Sequence, residues 1–251
     1  MVMRLVEWQK KQPNPRYTNE QLKEAVEFVS QEEPEDSTSE FDFPSFDSLQ
    51  EINTVKPLIP FPEDWLSSFL SGANHVYRVS RGISLETAYR FDIRYDTLLK
   101  RLCFPLRSIT GTLYGMQGRD VTGKQQPKYH FYDYKGIKNP VVWGNEQHVD
   151  LSEPLIITEG FPDAAKIDTA GFRNVVACLT SKFSRHKYER LQDAKNIITF
   201  FDYGTGGDTG RLLVERYWKH AHVMHVIPDE EEKDAGNMSV EAIQEVLHGL
   251  V

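Results

Sequence analysis

Pro154-Leu-Ile-Ile-Thr-Glu159-Gly160-Phe-Pro-Asp163-Ala-Ala reads as a short buried strand that ends in an acid, turns at a glycine and runs into a helix. The arrangement recurs as Asn196-Ile-Ile-Thr-Phe-Phe-Asp202-Tyr-Gly204-Thr-Gly-Gly207-Asp208. Apolar β-branched runs of this kind are the mark of strands buried on both faces, as in a parallel sheet. Acids at the carboxyl ends of neighbouring parallel strands converge on one spot. That spot is a natural place for a hard metal ion that handles phosphate. A third acid has an equivalent position: Lys233-Asp234-Ala-Gly-Asn237 follows the strand-like run Val223–Ile227.

Around these segments, residues 150–251 alternate strand and helix. Strands are expected at 155–158, 174–178, 196–202 and 222–227, and helices at 163–169, 184–191, 208–220 and 239–247. Such alternation predicts a parallel sheet with crossover helices. Residues 57–149 read differently, as short helices followed by strand candidates at 91–95, 101–107, 111–119 and 128–132 with turn signals between them. The fold class expected is α/β: a parallel sheet with crossover helices, preceded by a mixed α+β basic subdomain. Residues 1–30 carry one expected helix, capped by Thr18 or Asn19, with an apolar stripe of Leu22, Ala25, Val26 and Val29. Residues 31–56 read as an acidic linker. Its first part, 31–47, has acids and no bases, which fits a solvated spacer or an electrostatic decoy for a basic groove.

The chain of 251 residues is long enough for one large domain or two small ones. No apolar run reaches the length needed to span a bilayer and the N-terminus has no secretory pattern, so a cytoplasmic protein without a membrane partner is expected. The net charge of −8 does not exclude nucleic acid, because residues 78–138 are rich in Arg and Lys and the local patch is what attracts phosphate. The two cysteines, Cys103 and Cys178, sit in apolar stretches and read as core residues; without a CxxC pair they build no zinc ribbon. His220, His222 and His225 cluster near a helix end and the next strand; His220 fits a helix C-terminus, and a metal site made of all three is the thinner reading.

The acids now acquire a family context. Leu155-Ile-Ile-Thr-Glu159-Gly-Phe-Pro-Asp163 resembles the Glu-Gly-x-x-Asp motif of the Toprim domain, and Phe201-Asp202-Tyr-Gly204-Thr-Gly-Gly207 resembles its Asp-x-Asp-x-x-Gly motif. Lys233-Asp234-Ala-Gly-Asn is similar to the Lys-Asp-x-x-Asp/Asn stretch that follows in primases. Upstream, Phe104-Pro-Leu-Arg107, Gly115-Met-Gln-Gly-Arg119 and Pro127-Lys128-Tyr129 are similar to the basic segment of bacterial and phage replicative primases, and Tyr77-Arg-Val-Ser-Arg81-Gly82 resembles its entry. Five motifs in matching order cover roughly residues 60–250. The resemblance is to the primase-type RNA polymerase core, closest in flavour to phage primases. It implies a Toprim-type sheet and RNA primer synthesis on single-stranded DNA from ribonucleoside triphosphates.

By position, the resemblance implies that Glu159 acts near the reacting centre and that Asp202 and Asp234 hold Mg2+ or Mn2+, with Glu159 in the same metal set. Arg119 and Lys128 would contact nucleotide phosphates or template backbone, Arg107 would do so in a lesser way, and Tyr129 would stack or pack. The general chemistry is two-metal phosphoryl transfer. No zinc is expected in this chain. A separate zinc-bearing module and a separate helicase are expected as partners, in a bacterial host if the protein is phage-encoded.

One departure bears on activity. Where the motif carries a second acid, this chain has Gly204. Magnesium keeps several waters and needs only one or two carboxylates plus substrate phosphates, so a weaker site survives the loss. Asp208 would compensate if the glycines fold the loop back. Two function classes therefore stay open: a metal-dependent primase core, and a weakened or inactive primase-like module that binds single-stranded DNA or replisome partners. Another Toprim chemistry, nuclease or strand cleavage, is disfavoured by the Pro127-Lys128-Tyr129 segment. A dinucleotide loop at Gly204–Gly210 fails because the last glycine of Gly-x-Gly-x-x-Gly falls on Thr209.

Overall fold

The computed structural model describes residues 58–139, 141–180 and 184–251, all within one compact unit, Val55–Val251. The helix expected in 1–30 and the linker expected in 31–56 lie outside the described residues.

The first half is a five-stranded antiparallel sheet in the order β1 (Leu70–Ser71), β2 (Arg94–Asp96), β3 (Arg101–Arg107), β4 (Leu113–Asp120) and β5 (Tyr129–Tyr132). A 3-10 turn, Glu63–Ser68, stands where a helix was expected to start. Helix α1 (Val76–Ser80) is capped by the His75 imidazole, which accepts the Tyr77 N–H. Helix α2 (Leu85–Arg90) is capped by the Ser84 hydroxyl, which accepts the Thr87 N–H. The strand expected from Phe91 begins only at Arg94, because Asp92 takes a left-handed conformation (φ 49°) to end α2. The strand expected from Gly111 begins at Leu113. Gly111 (φ 80°) is spent on the tight turn closed by its N–H to the Ser108 carbonyl.

The second half is a four-stranded parallel sheet in the order β7 (Val175–Ala177), β6 (Leu155–Thr158), β8 (Asn196–Phe200) and β9 (His222–Val226). Helices α3 (Phe161–Thr169), α4 (Arg185–Glu189) and α5 (Thr205–Tyr217) connect successive strands, and α6 (Val240–Leu247) follows β9. From β6 the chain steps one way to β7, then returns past β6 to β8. The sheet thus reverses its winding between β6 and β8, and the crevice beyond the carboxyl ends of those strands is where such sheets hold ligands. β8 ends two residues before Asp202, and α5 starts three residues before Asp208, earlier than the sequence pattern implied.

Both faces of the parallel sheet are buried. Ile156, Val175, Ala177 and Ile198 pack in the cluster that also holds Phe91, Phe104 and Phe161. Leu155, Ile157, Val176 and Ile197 pack on the opposite face with Trp143 and Trp218. Phe104 of β3 stacks on Phe161 of α3, ring centres 4.6 Å apart, so the first core is shared between the two sheets. A polar seam reinforces it: Asp168 accepts from Thr87 (2.7 Å) and pairs with Arg90 (2.8 Å). Cys103 and Cys178 are buried free thiols, core residues as expected. Among the described residues no helix is long and apolar enough to cross a membrane.

Candidate active site

Strand register places the acids. Thr158 pairs with Phe200, and Phe200 with Val226, so β6, β8 and β9 end level. Glu159 follows β6 at once, and Asp202 follows β8 after Phe201. Asp234 is further along its loop, which bends back because the Tyr203 N–H donates to the Lys233 carbonyl (2.6 Å) and the Gly236 N–H donates to the Asp163 carboxylate (3.1 Å). Gly236 approaches so closely that a Cβ there would sit 2.8 Å from Asp163 Oδ1. Asp163 also accepts the Gly160 N–H (3.2 Å). It closes the first turn of α3 on the Gly160 N–H and pins the Asp234 loop to the Glu159 turn besides.

The result is a cleft of about 320 Å³ with an acidic wall of Glu159, Asp163, Asp202 and Asp234 and a basic wall of Arg81, Arg119 and Lys128, with Tyr129 beside them. Six residues singled out in the sequence, Glu159, Asp202, Asp234, Arg119, Lys128 and Tyr129, meet there. Burial and mutual repulsion act on the acids. The Asp202 carboxyl is pushed up to about 8 by burial first, then by Asp163, Glu159 and Asp234. Asp163 is pushed up to about 7 by burial first and then by Asp234, against the two N–H groups it accepts. Glu159 is raised by burial, with the Arg211 guanidinium opposing. Carboxylates that repel one another in a half-dry cleft are relieved by a cation.

Among the described residues, no three His, Cys, Asp or Glu side chains are gathered closely enough to hold a metal ion unaided. A magnesium-type ion takes only one or two carboxylates and completes its shell with water and phosphate oxygens. The donor set does not fit an all-protein chelate.

The basic wall is built on the antiparallel sheet. Arg119 of β4 lies directly opposite Tyr129 of β5. Its guanidinium donates to the Tyr129 hydroxyl and lies between two rings, with Tyr129 at 5.0 Å and Tyr77 at 5.4 Å. Its Nε is buried without a partner. Lys128, at 5.8 Å from the Tyr129 ring, is exposed. Arg81, at the end of α1, donates from Nε to the Tyr77 hydroxyl (3.2 Å) and from Nη1 to Asn237 Oδ1 (2.9 Å).

Two candidates fall elsewhere. Arg107 does not line the cleft. A register shift between Leu106 and Arg107 breaks the β3–β4 ladder beside it, and its guanidinium is bound by Glu63 (2.9 Å to Oε2) and Asp92 (3.4 Å). Asp208 does not line the cleft either; its carboxylate pairs with Arg211 (2.7 Å) in the first turn of α5. The loop does not fold back to bring it in, because Gly204 (φ 104°, ψ −174°) sends the chain directly into the helix and Gly207 closes against the Asp202 carbonyl. His225 is held between Thr199 (2.6 Å) and Glu215 (3.0 Å), and the three histidines make no metal site.

Arg81 and Leu179 were not singled out from the sequence as site residues, yet both line the cleft. Arg81 had a signal, since it precedes Gly82 (φ 62°) in a helix-ending pattern; its partner Asn237 is 156 positions away. Leu179 had none: it takes a left-handed φ of 67° so that its N–H meets the Glu159 carbonyl (2.8 Å).

No protein-family model matches the chain. It is 28% identical over 157 residues to a DNA primase of Staphylococcus aureus, covering 55% of this chain and 25% of that protein. With a DNA primase of Borreliella burgdorferi it shares 26% over 147 residues, 54% of this chain and 28% of the other. The fold matches a structure of the DnaG primase catalytic domain bound to ssDNA, with a TM-score of 0.60 at 18% identity over 74% of this chain and 76% of that one. It also matches the zinc-binding and RNA polymerase domains of the Aquifex aeolicus primase, with a TM-score of 0.60 at 21% identity over 69% and 54%.

The described residues share the fold of bacterial primase catalytic cores.

The chain spans about a quarter of the length of the curated primases it matches. The cleft in this fold draws its acids from the ends and following loops of the parallel strands, and Arg119 and Lys128 from the antiparallel half.

Proposed function

We propose that this primase core synthesises RNA primers on single-stranded DNA by metal-dependent nucleotidyl transfer. The observation that carries the reading is the meeting of Glu159, Asp202 and Asp234 with Arg119 and Lys128 in one cleft at the strand ends. In the reaction the 3′-oxygen of the growing chain attacks the α-phosphorus of a ribonucleoside triphosphate. A new P–O bond forms, the bond to the bridging oxygen breaks, and pyrophosphate leaves.

Asp202 and Asp234 would hold Mg2+ or Mn2+, which when bound supplies charge neutralisation at the phosphates and a lower cost for forming the 3′-oxygen nucleophile. Glu159, whose affinity for protons is raised by burial, would take the proton of the 3′-hydroxyl, a role that favours a carboxylate with a raised affinity for protons. Arg119 and Lys128 bind triphosphate or template phosphate oxygens, as a guanidinium and an ammonium do. Residues 57–149 then serve as the basic half and 150–251 as the acid-bearing half. A helicase and a zinc-bearing module outside these residues are the expected partners.

Gly204 favours a second reading. Its backbone lies in a region that is essentially glycine's alone, so the strand end carries a single acid by construction. A core with weakened metal binding then serves to hold single-stranded DNA for other replication proteins. The test incubates the protein with ribonucleoside triphosphates, single-stranded DNA and Mg2+ or Mn2+ and looks for short RNA products. The first reading expects products that vanish in Glu159→Gln; products undiminished in that variant remove the catalytic role. No products, with tight and strongly salt-dependent DNA binding, selects the second reading.

A further inference from the structure

We infer that Tyr77 is a positioning residue that sets both guanidinium groups of the cleft, Arg81 through its hydroxyl and Arg119 through its ring. The inference rests on the reading of this cleft as a site for nucleoside triphosphate. Tyr77 lies in α1, half-buried, and does not itself line the cleft. It stands behind the basic wall and touches both arginines.

The hydroxyl accepts Arg81 Nε–H at 3.2 Å, and the Arg81 guanidinium carbon is 5.5 Å from the ring centre. The other end of Arg81 is held by Asn237 at 2.9 Å. Asn237 is in turn fixed to the acid loop, its N–H to Asp234 Oδ1 (2.8 Å) and its amide to the Glu232 carbonyl (3.0 Å). On its other side Tyr77 lies 5.4 Å from the Arg119 guanidinium carbon, while Tyr129 lies 5.0 Å from the same carbon. With two phenol rings against it and one donor on the Tyr129 hydroxyl, the Arg119 guanidinium has few ways to turn. Tyr77 therefore joins the cationic wall, through Arg81 and Asn237, to the loop that carries Asp234.

Each arginine has many rotamers. Left alone each would have to be ordered again whenever a phosphate binds. A tyrosine between them removes that cost in advance. The ring touches both arginines and the hydroxyl only Arg81, so the two contributions separate experimentally: Tyr77→Phe keeps the ring contacts and loses the bond to Arg81, and Tyr77→Leu loses all of them.

The test uses the full chain with Mg2+ and an α,β-methylene ribonucleoside triphosphate that cannot react, titrated calorimetrically, alongside 15N NMR of the arginine Nε–H groups without ligand. Tyr77→Leu is expected to weaken binding about 10-fold and Tyr77→Phe about 3-fold, from the loss of one cation–π contact and one charge-assisted hydrogen bond. With Arg119→Ala already in place, Tyr77→Leu should add less than it does in the wild type, though more than Tyr77→Phe, because the ring has lost one of its two guanidinium groups and keeps Arg81. The Nε–H signals of Arg81 and Arg119, sharp in the wild type, should broaden in Tyr77→Leu, and only that of Arg81 in Tyr77→Phe. A merely structural role lowers the melting temperature and leaves the signals and the affinity of the folded protein unchanged, and that result overturns the inference. So does a Tyr77→Leu effect that multiplies in full with Arg119→Ala. If Tyr77→Leu does not fold, Tyr77→Phe decides alone through Arg81. A wild type that does not bind the analogue defeats the triphosphate reading instead, and the ligand-free NMR then still decides whether Tyr77 positions the arginines.

Discussion

The ends of β6 and β8 are neighbours in one sheet, level in register, and each is followed by an acid, a glycine and a helix. They are not equivalent. At β6 the second acid, Asp163, faces inward and is anchored by two backbone N–H groups, one from its own turn and one from the Asp234 loop. At β8 the position two beyond Asp202 is Gly204, and the next acid, Asp208, is turned to Arg211. Register alone brings Glu159 and Asp202 together. The conformation of the following loop decides which further acid joins them. An acid's position in the sequence therefore fixes its level along the sheet but not its direction.

The sharpest way to break this contrast is to neutralise Asp202. As the acid from β8 that reaches the cleft, its change to Asn should lower primer synthesis about 10²–10⁴-fold, the range for losing a group that stabilises a transition state, with a circular dichroism spectrum like the wild type. Product formation within threefold of wild type would mean that β8 contributes nothing to the reaction.

Asp163→Ala attacks the other strand end. It leaves the Gly160 and Gly236 N–H groups without their acceptor, at about 1–3 kcal/mol for each buried donor, while relieving the repulsion on Asp202. A net loss of about 2–4 kcal/mol is expected in urea unfolding, together with weaker Mn2+ binding as the Asp234 loop is released. Unchanged stability would show that Asp163 is not the pin between the two loops.

The crowding of the acids also has a pH signature. Asp163 and Asp202 ordinarily titrate near 3.8 and are pushed up to about 7 and about 8 in the fold. Between those values and 3.8 the folded protein holds protons that the unfolded chain has lost. Without metal, what these two groups contribute is therefore fully present at acid pH and is lost as the pH rises to 7–8. Thermal melts in EDTA should show the wild-type Tm, taken relative to that of Asp202→Asn, higher at pH 5.5 than at pH 8.5. Added Mg2+ or Mn2+ should raise Tm more at pH 8.5, where both carboxylates are free to bind it. A wild-type Tm that gains on that of Asp202→Asn as the pH rises in EDTA would mean that the acids do not crowd.

Most of the second half was legible in the sequence because its central strands are apolar on both faces and alternate with helices, two of which begin at serine caps. Glu159 and Asp202 could be read as site acids because parallel strands set their ends level, and Asp234 because it follows the next strand. What could not be read was backbone direction. Gly204 was visible as a missing acid, but not as a residue whose φ of 104° excludes one. Arg107 lost its place to a register shift in β3 and to two carboxylates that lie 15 and 44 positions away. Tyr77, Arg81 and Asn237 form one cluster only after the two halves pack, and no local pattern contains a contact over 156 positions.

Gly204→Asp would restore the acid that the motif lacks. In this backbone it should instead cost about 1–3 kcal/mol, since a side chain at that φ and ψ is strained whatever space surrounds it. Tighter Mn2+ binding at unchanged stability would show that the loop rearranges freely and that the two strand ends differ in side chain only.

The smallest effect is expected from Asp208→Asn. Its carboxylate is about one-third exposed and pairs with Arg211, which is itself buried and also donates to the Phe201 and Asp202 carbonyls. Asparagine keeps an oxygen to accept from Arg211, so the loss should stay below about 1 kcal/mol, as for other partly solvated pairs. Primer synthesis and Mn2+ affinity should remain within about threefold of wild type, a difference of less than about 0.7 kcal/mol. The value of this variant lies in its contrast with Asp202→Asn. If the two are equally damaging, Asp208 reaches the metal during the reaction, α5 unwinds at its first turn to let it, and the difference between the two strand ends disappears once substrate is bound. If Asp208→Asn is silent while Asp202→Asn is not, the end of β8 works with one acid, and the partner it lacks is supplied by phosphate oxygens and water.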